Sequence, residues 1–226
     1  MWNYKNCIAG ILPAILLLFV ACTPGPDISD MAHPVHVDSF MQGKLSKQIM
    51  DSRRDKDDFF RSSPDSPLPA ALKPVFTGLE YYPLDWKYRF EGRVMQYPNP
   101  PRIKMIDTAG EIREAMRYGY IIFDQGDRRF KLQVYRLLDQ EQKNLLFIPF
   151  ADNQAGKETY PAGRYLDLEE KANGVYVIDF NRAYNPSCAY GGNFACPVTP
   201  AENHLAISVP AGEKVLSIAR ALEKRS

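Results

Sequence analysis

Apolar residues change their spacing twice along this chain. From Ile8 to Ala21 they run almost unbroken, with Leu16, Leu17, Leu18 and Phe19 at the centre. From Ser39 they recur at helical spacing as Met41, Leu45 and Ile49, with Lys47, Asp51, Arg53, Arg54, Asp55, Lys56, Asp57 and Asp58 among them. That pattern predicts an amphipathic helix with Ser39 as its N-cap, reaching about Phe60 with a charge-laced outer face. Pro64, Pro67 and Pro69, set among serines, stop it.

From Tyr88 the period falls to two. Alternation predicts strands over Tyr88–Tyr97, Ile103–Thr108, Glu111–Met116, Tyr118–Phe123, Phe130–Leu137, Leu145–Phe150, Arg164–Leu168 and Val175–Phe180. Asp124-Gln125-Gly126-Asp127 reads as the turn of a hairpin. No helices cross between these strands, so the expected sheet is mostly antiparallel. The fold class is therefore α+β and mostly β: an antiparallel rolled sheet or small barrel-like domain with the N-terminal helix packed on it. The 13 Tyr and 12 Phe of the chain agree with a strand-rich fold. Lys214 to Arg225 is expected to run from a strand into a short helix.

The first apolar run has the parts of an export signal: Lys5 ahead of it, and Phe19-Val20-Ala21-Cys22 at its end. A small residue just before cysteine is the pattern at which a lipoprotein peptidase cuts. Residues 1–21 are thus expected to be a lipoprotein signal peptide, with Cys22 as the lipidation site, palmitate among its acyl chains. An uncleaved anchor and an ordinary secretory signal are the alternatives. The run contains Gly10 and Pro13 and is short for a span of about 20 residues. Residues 22–37, rich in Pro and without period, read as a flexible tether, and His33-x-x-His36 within it as solvated rather than metal-binding. Residues 38–226 form a single globular domain. The expected location is the bacterial cell envelope, lipid-anchored, at the outer membrane where the host has one.

Losing Lys5 with the signal leaves 27 basic and 27 acidic residues, a balance without the electrostatic footprint of a nucleic-acid binder. Cys7 leaves with the signal and Cys22 carries lipid. Cys188 and Cys196 remain, and in an oxidising compartment they are disulfide candidates. A redox pair or half a metal site would need tighter spacing or nearby histidines. No phosphate loop, dinucleotide fingerprint, zinc motif or nucleophile elbow is present, so neither a cofactor nor a metal is expected.

Polar, Gly and Pro residues gather in two stretches, 147–168 and 179–204. Lys157 and Glu158 lie between Gly156 and Gly163, where backbone can approach a ligand closely. Asp179, Asn181 and Arg182 leave the end of a strand. Glu158, Asp179 and Glu202 are the candidate catalytic carboxylates, with Asp152 a further acid. Lys157, Arg164, Asn181 and Arg182 are the candidate ligand-binding residues, guanidinium groups being suited to carboxylate or phosphate. The same residues can equally serve to satisfy loop backbone.

Gly156-Lys157-Glu158-Thr159-Tyr160 and Asn181-Arg182-Ala183-Tyr184-Asn185-Pro186 closely resemble the bacterial and archaeal family called domain of unknown function 1684. So do Phe60-Arg61, Ser66-Pro67-Leu68, Gly78-Leu79-x-Tyr81-Tyr82-Pro83, Arg117-Tyr118-Gly119 and Leu132-Gln133-Val134-Tyr135-Arg136. The resemblance spans about Phe40 to Lys214 and implies no particular activity. With nucleophile and metal motifs missing, the expected role is a membrane-anchored lipoprotein binding a small polar ligand or envelope component. Loops 150–165 and 179–204 would do the binding. An envelope hydrolase using the Asp/Glu set and a structural or assembly lipoprotein are the alternatives.

Overall fold

The computed structural model describes residues 30–138, 145–169 and 171–218. The signal-like run and Cys22 therefore lie outside the described residues, as does the end of the Lys214–Arg225 stretch. In chain order the elements are β1 (His33–Pro34), α1 (Ser39–Ser62), β2 (Arg89–Arg93), β3 (Met95–Gln96), β4 (Arg102–Ile106), β5 (Ile112–Gln125), β6 (Arg128–Leu137), β7 (Leu145–Phe150), β8 (Arg164–Glu169) and β9 (Val175–Asp179).

Two antiparallel sheets pack face to face and neither closes into a barrel. The smaller has the order β1-β2-β9. The larger runs β3-β5-β6-β7-β8, with β4 also paired to β5. Between them lies the main core, including Phe90, Ile121, Phe123, Leu132, Ile148, Phe150, Ile178 and Phe180. Ring contacts cross it, Phe90 to Phe123 at 4.9 Å and Phe150 to Phe180 at 5.1 Å between centroids.

Four local differences from the sequence reading have plain causes. The helix N-cap is Asp38, whose carboxylate accepts from the Met41 amide at 2.8 Å, and Ser39 takes the first helical position. The alternating run Tyr88–Tyr97 divides at Val94: β2 joins the small sheet and β3 the large one. The tether reading ends early, because Met31 and Ala32 are buried and His33–Pro34 pairs with Phe90–Glu91. Finally, Glu111–Met116 and Tyr118–Phe123 belong to one strand.

That last difference matters for the site. The β5–β6 register shifts between Arg117 and Gly119, inserting one residue and turning every later side chain to the other face. Before this bulge, Arg113 and Ala115 face away from the main core; after it, Ile121 and Phe123 face into it. Gly119 is required here, since a Cβ would lie 2.4 Å from the Met95 carbonyl oxygen of β3.

The large sheet is covered on both faces. Its inner side chains alternate with an outer set in which Met105, Ala115, Tyr135, Leu137, Phe147 and Tyr165 form a second cluster. Helix α1 lies beyond this side and rests on loops. Phe60 packs with Leu68, Leu72, Phe76, Leu79, Tyr190 and Leu216. Asp57 caps the Leu79 amide at 2.9 Å, and Arg53 reaches the carbonyls of Tyr82 and Asn181.

Candidate functional site

An open cavity of about 420 Å³ lies between the outer face of the large sheet and the loop that follows β9. Strand alternation sets its floor: Leu137 of β6, Leu145 and Phe147 of β7, and Tyr165 and Asp167 of β8 all fall on the outward face. Phe147 stands directly opposite Asp167 in the β7–β8 register. Arg113 enters from β5 ahead of the bulge. The roof comes from Lys56, Phe59 and Phe60 of α1 and from residues within 184–197. That volume suits a small organic molecule.

The roof loop is fixed by two devices. Cys188 and Cys196 are joined by a disulfide, with Cα atoms 6.3 Å apart. Glu213, fully buried, accepts from Lys56 Nζ at 2.7 Å, from the Tyr190 hydroxyl and from Asn185 Nδ2 at 3.3 Å. One carboxylate thus ties α1, the roof and the C-terminal segment together. Such a pair holds only because its hydrogen bonds replace lost hydration.

Inside the cavity the Tyr184 hydroxyl donates to Asp167 Oδ2 at 2.7 Å. Tyr165 meets Phe147 edge to face at 4.6 Å and Tyr184 perpendicularly at 5.8 Å. Asp167 is reachable by solvent but crowded by protein. Partial burial holds its carboxyl above the usual carboxylate range, against the opposing pull of the Tyr184 hydroxyl. Burial and the neighbouring carboxylate push the Tyr184 phenol well up, so it stays a donor.

The site residues expected from sequence do not converge here. Arg164 is buried beneath loop 150–165 with Asp152 at 3.3 Å, and donates to the carbonyls of Val209 at 2.9 Å, Ala211 and Glu213. Asp179 binds Arg89 at 2.5 Å and caps the turn over Phe180–Arg182 through the Asn181 amide. Asn181 brackets Asp85, its Oδ1 accepting at 2.9 Å and its Nδ2 donating at 3.0 Å. Glu158, on the surface, accepts from the Tyr82 hydroxyl at 2.8 Å and Lys214 at 3.3 Å; the Tyr82 bond and then Lys214 hold it below the usual range. Glu202 accepts from Arg117 and, at 2.8 Å, from Tyr135. Burial raises it, but those donors outweigh that and hold it low. Lys157 and Arg182 are exposed. Arg182 lines a separate cavity of about 310 Å³ with Arg53 and Tyr81.

Among the described residues Glu158, Asp179 and Glu202 therefore share no partner, and none of the three lines the 420 Å³ cavity. Among the described residues no group of three His, Cys, Asp or Glu could hold a metal ion. Asp167 and Glu213 were missed as important residues. Asp167 carried a signal, its alternation with Leu166 and Leu168 beside a strand, β7, that is apolar on both faces. Glu213 carried none.

Comparisons place these observations among known proteins. Nothing among curated proteins matches. A solved structure, the solution NMR structure of an uncharacterized protein of Haloarcula marismortui, is similar at 31% identity and a TM-score of 0.61. The match covers 78% of this chain and 97% of that one. The family described as "Protein of unknown function (DUF1684)" matches residues 74–214, spanning β2 to β9 and the whole roof loop. The chain belongs to that family.

Proposed function

We propose that this protein is a binding domain that takes a small amphipathic molecule into the cavity roofed by residues 184–197. One observation carries the reading: an open, aromatic-walled space of about 420 Å³ in which Asp167 of the floor and Tyr184 of the roof form a hydrogen-bonded pair. Apolar walls with a few placed polar groups are the usual make-up of a ligand site. Of the two loops expected to bind, 179–204 supplies the roof, and 150–165 contributes its last residue, Tyr165.

We also propose that the domain works at the bacterial envelope, held there by lipid on Cys22. Among the described residues no helix is long and apolar enough to cross a membrane. Two or three acyl chains would give stable attachment where one is marginal. Acyl labelling of the full chain is expected to disappear in Cys22→Ser; persistence of the label would overturn the anchor.

Amide chemical shifts during titration with small aromatic amphiphiles test the binding reading. Saturable shifts are expected at Phe147, Tyr165, Tyr184 and Phe194. Ala195→Trp, which fills the cavity from its roof, is expected to abolish them. Shifts that never saturate, or that survive Ala195→Trp, would refute the site.

A further inference from the structure

The cavity's charges do not cancel as a simple count suggests. Four ionisable side chains other than tyrosines line it: Lys56, Arg113, Asp65 and Asp167. Both cations are already matched to buried carboxylates that do not line the cavity. Lys56 is held by Glu213 at 2.7 Å, and Arg113 lies 3.5 Å from Asp107 while also donating to the Ala195 carbonyl at 2.9 Å. Glu213 and Asp107 are almost wholly buried, so these cations cannot turn to a ligand without leaving a carboxylate unpaired inside the protein.

The two carboxylates facing the cavity have no such match. Asp167 receives only a neutral phenol, and neither Asp167 nor Asp65 makes an ion pair among the described residues. Among the described residues the uncompensated charge of the lining is therefore negative. Around it stand ring systems whose faces attract cations: Tyr165 and Tyr184 meet at right angles, and Phe147 lies opposite Asp167 on the neighbouring strand.

Resting on the binding reading above, we infer that the ligand is an organic cation, its ammonium or amidinium group on Asp167 and its apolar body along Phe147 and Phe194. An anionic ligand would face two unpaired carboxylates. A hard metal ion would need several more oxygen ligands than this wall offers. A bound cation would also offset, by its opposite charge, the burial that now raises the Asp167 carboxyl.

Calorimetric titration of the protein with three probes of one shape decides it: phenethylammonium, phenethyl alcohol and phenylacetate. The ammonium is expected to bind about tenfold tighter than the alcohol, and phenylacetate weakest. Asp167→Asn, which keeps an acceptor for Tyr184, is expected to bring the ammonium and the alcohol to equal affinity. Asp65→Asn run beside it apportions the effect between the two carboxylates. Equal binding of alcohol and ammonium, or tighter binding of phenylacetate, would overturn the cation while leaving the cavity as a ligand site. No binding of any probe, with Ala195→Trp also silent, would bring down both readings.

Discussion

The two polar loop regions of this molecule look alike in sequence and behave in opposite ways. Loop 150–165 is packed shut: Arg164 sits beneath it, bound to Asp152 and to three carbonyls of the 209–213 segment. Loop 184–197 arches away from the sheet, pinned at its ends by a disulfide and by Glu213, and leaves space under it. The first spends Arg164 and Asp152 on each other and on the backbone of the 209–213 segment. The second uses few charged groups and encloses rings. Polar richness thus marks where backbone needs partners, and the open space lies where rings form the wall.

The sharpest way to break this contrast is Arg164→Ala. It leaves Asp152 buried without its cation and takes a donor from each of three carbonyls, and is expected to cost about 3–5 kcal/mol in denaturant unfolding. A loss under about 1 kcal/mol would mean the loop is closed by something else. Removing the disulfide in a Cys188→Ser/Cys196→Ser double variant is expected to cost less, about 2 kcal/mol. It should weaken probe binding several-fold, because the roof, not the floor, loosens. Unchanged binding would separate the disulfide from the site.

The smallest effect concerns pH, where the two regions have opposite signs. Glu158 is held below its ordinary value of 4.5, first by Tyr82. Its contribution to stability is present above that value and is lost as pH falls through the lowered one. Tyr82→Phe should let the Glu158 carboxyl climb back toward 4.5 in an NMR titration. Asp167 is raised above 3.8 by burial, so its contribution is full below that value and fades as pH rises through the raised one. Asp167→Asn should remove that fading; a Glu158-like response at Asp167 would contradict the placement in the cavity.

Much of the fold could be read from period alone. Leu145–Phe150 and the hairpin at Asp124–Asp127 stand where alternation and turn chemistry put them. The division at Val94 could not be read, because passing from one sheet to another changes partners without changing the alternation. The bulge at Tyr118 did leave a trace, a break in phase, which resembles the end of a strand. At the site, Asn181 and Arg164 stand out as polar residues at strand ends beside irregular loops, yet the same chemistry serves to satisfy backbone groups. Asp167 lay unremarked in a regular strand, and only the β7–β8 register shows it facing Phe147.

That register carries a consequence for the acidic floor. A one-residue slip of β8 would drive Asp167 into the main core and bring Leu166 and Leu168 out. Position 167 therefore faces the cavity for as long as the sheet keeps its register. Helix α1 and the disulfide-tied loop are under no such bond to the pleat.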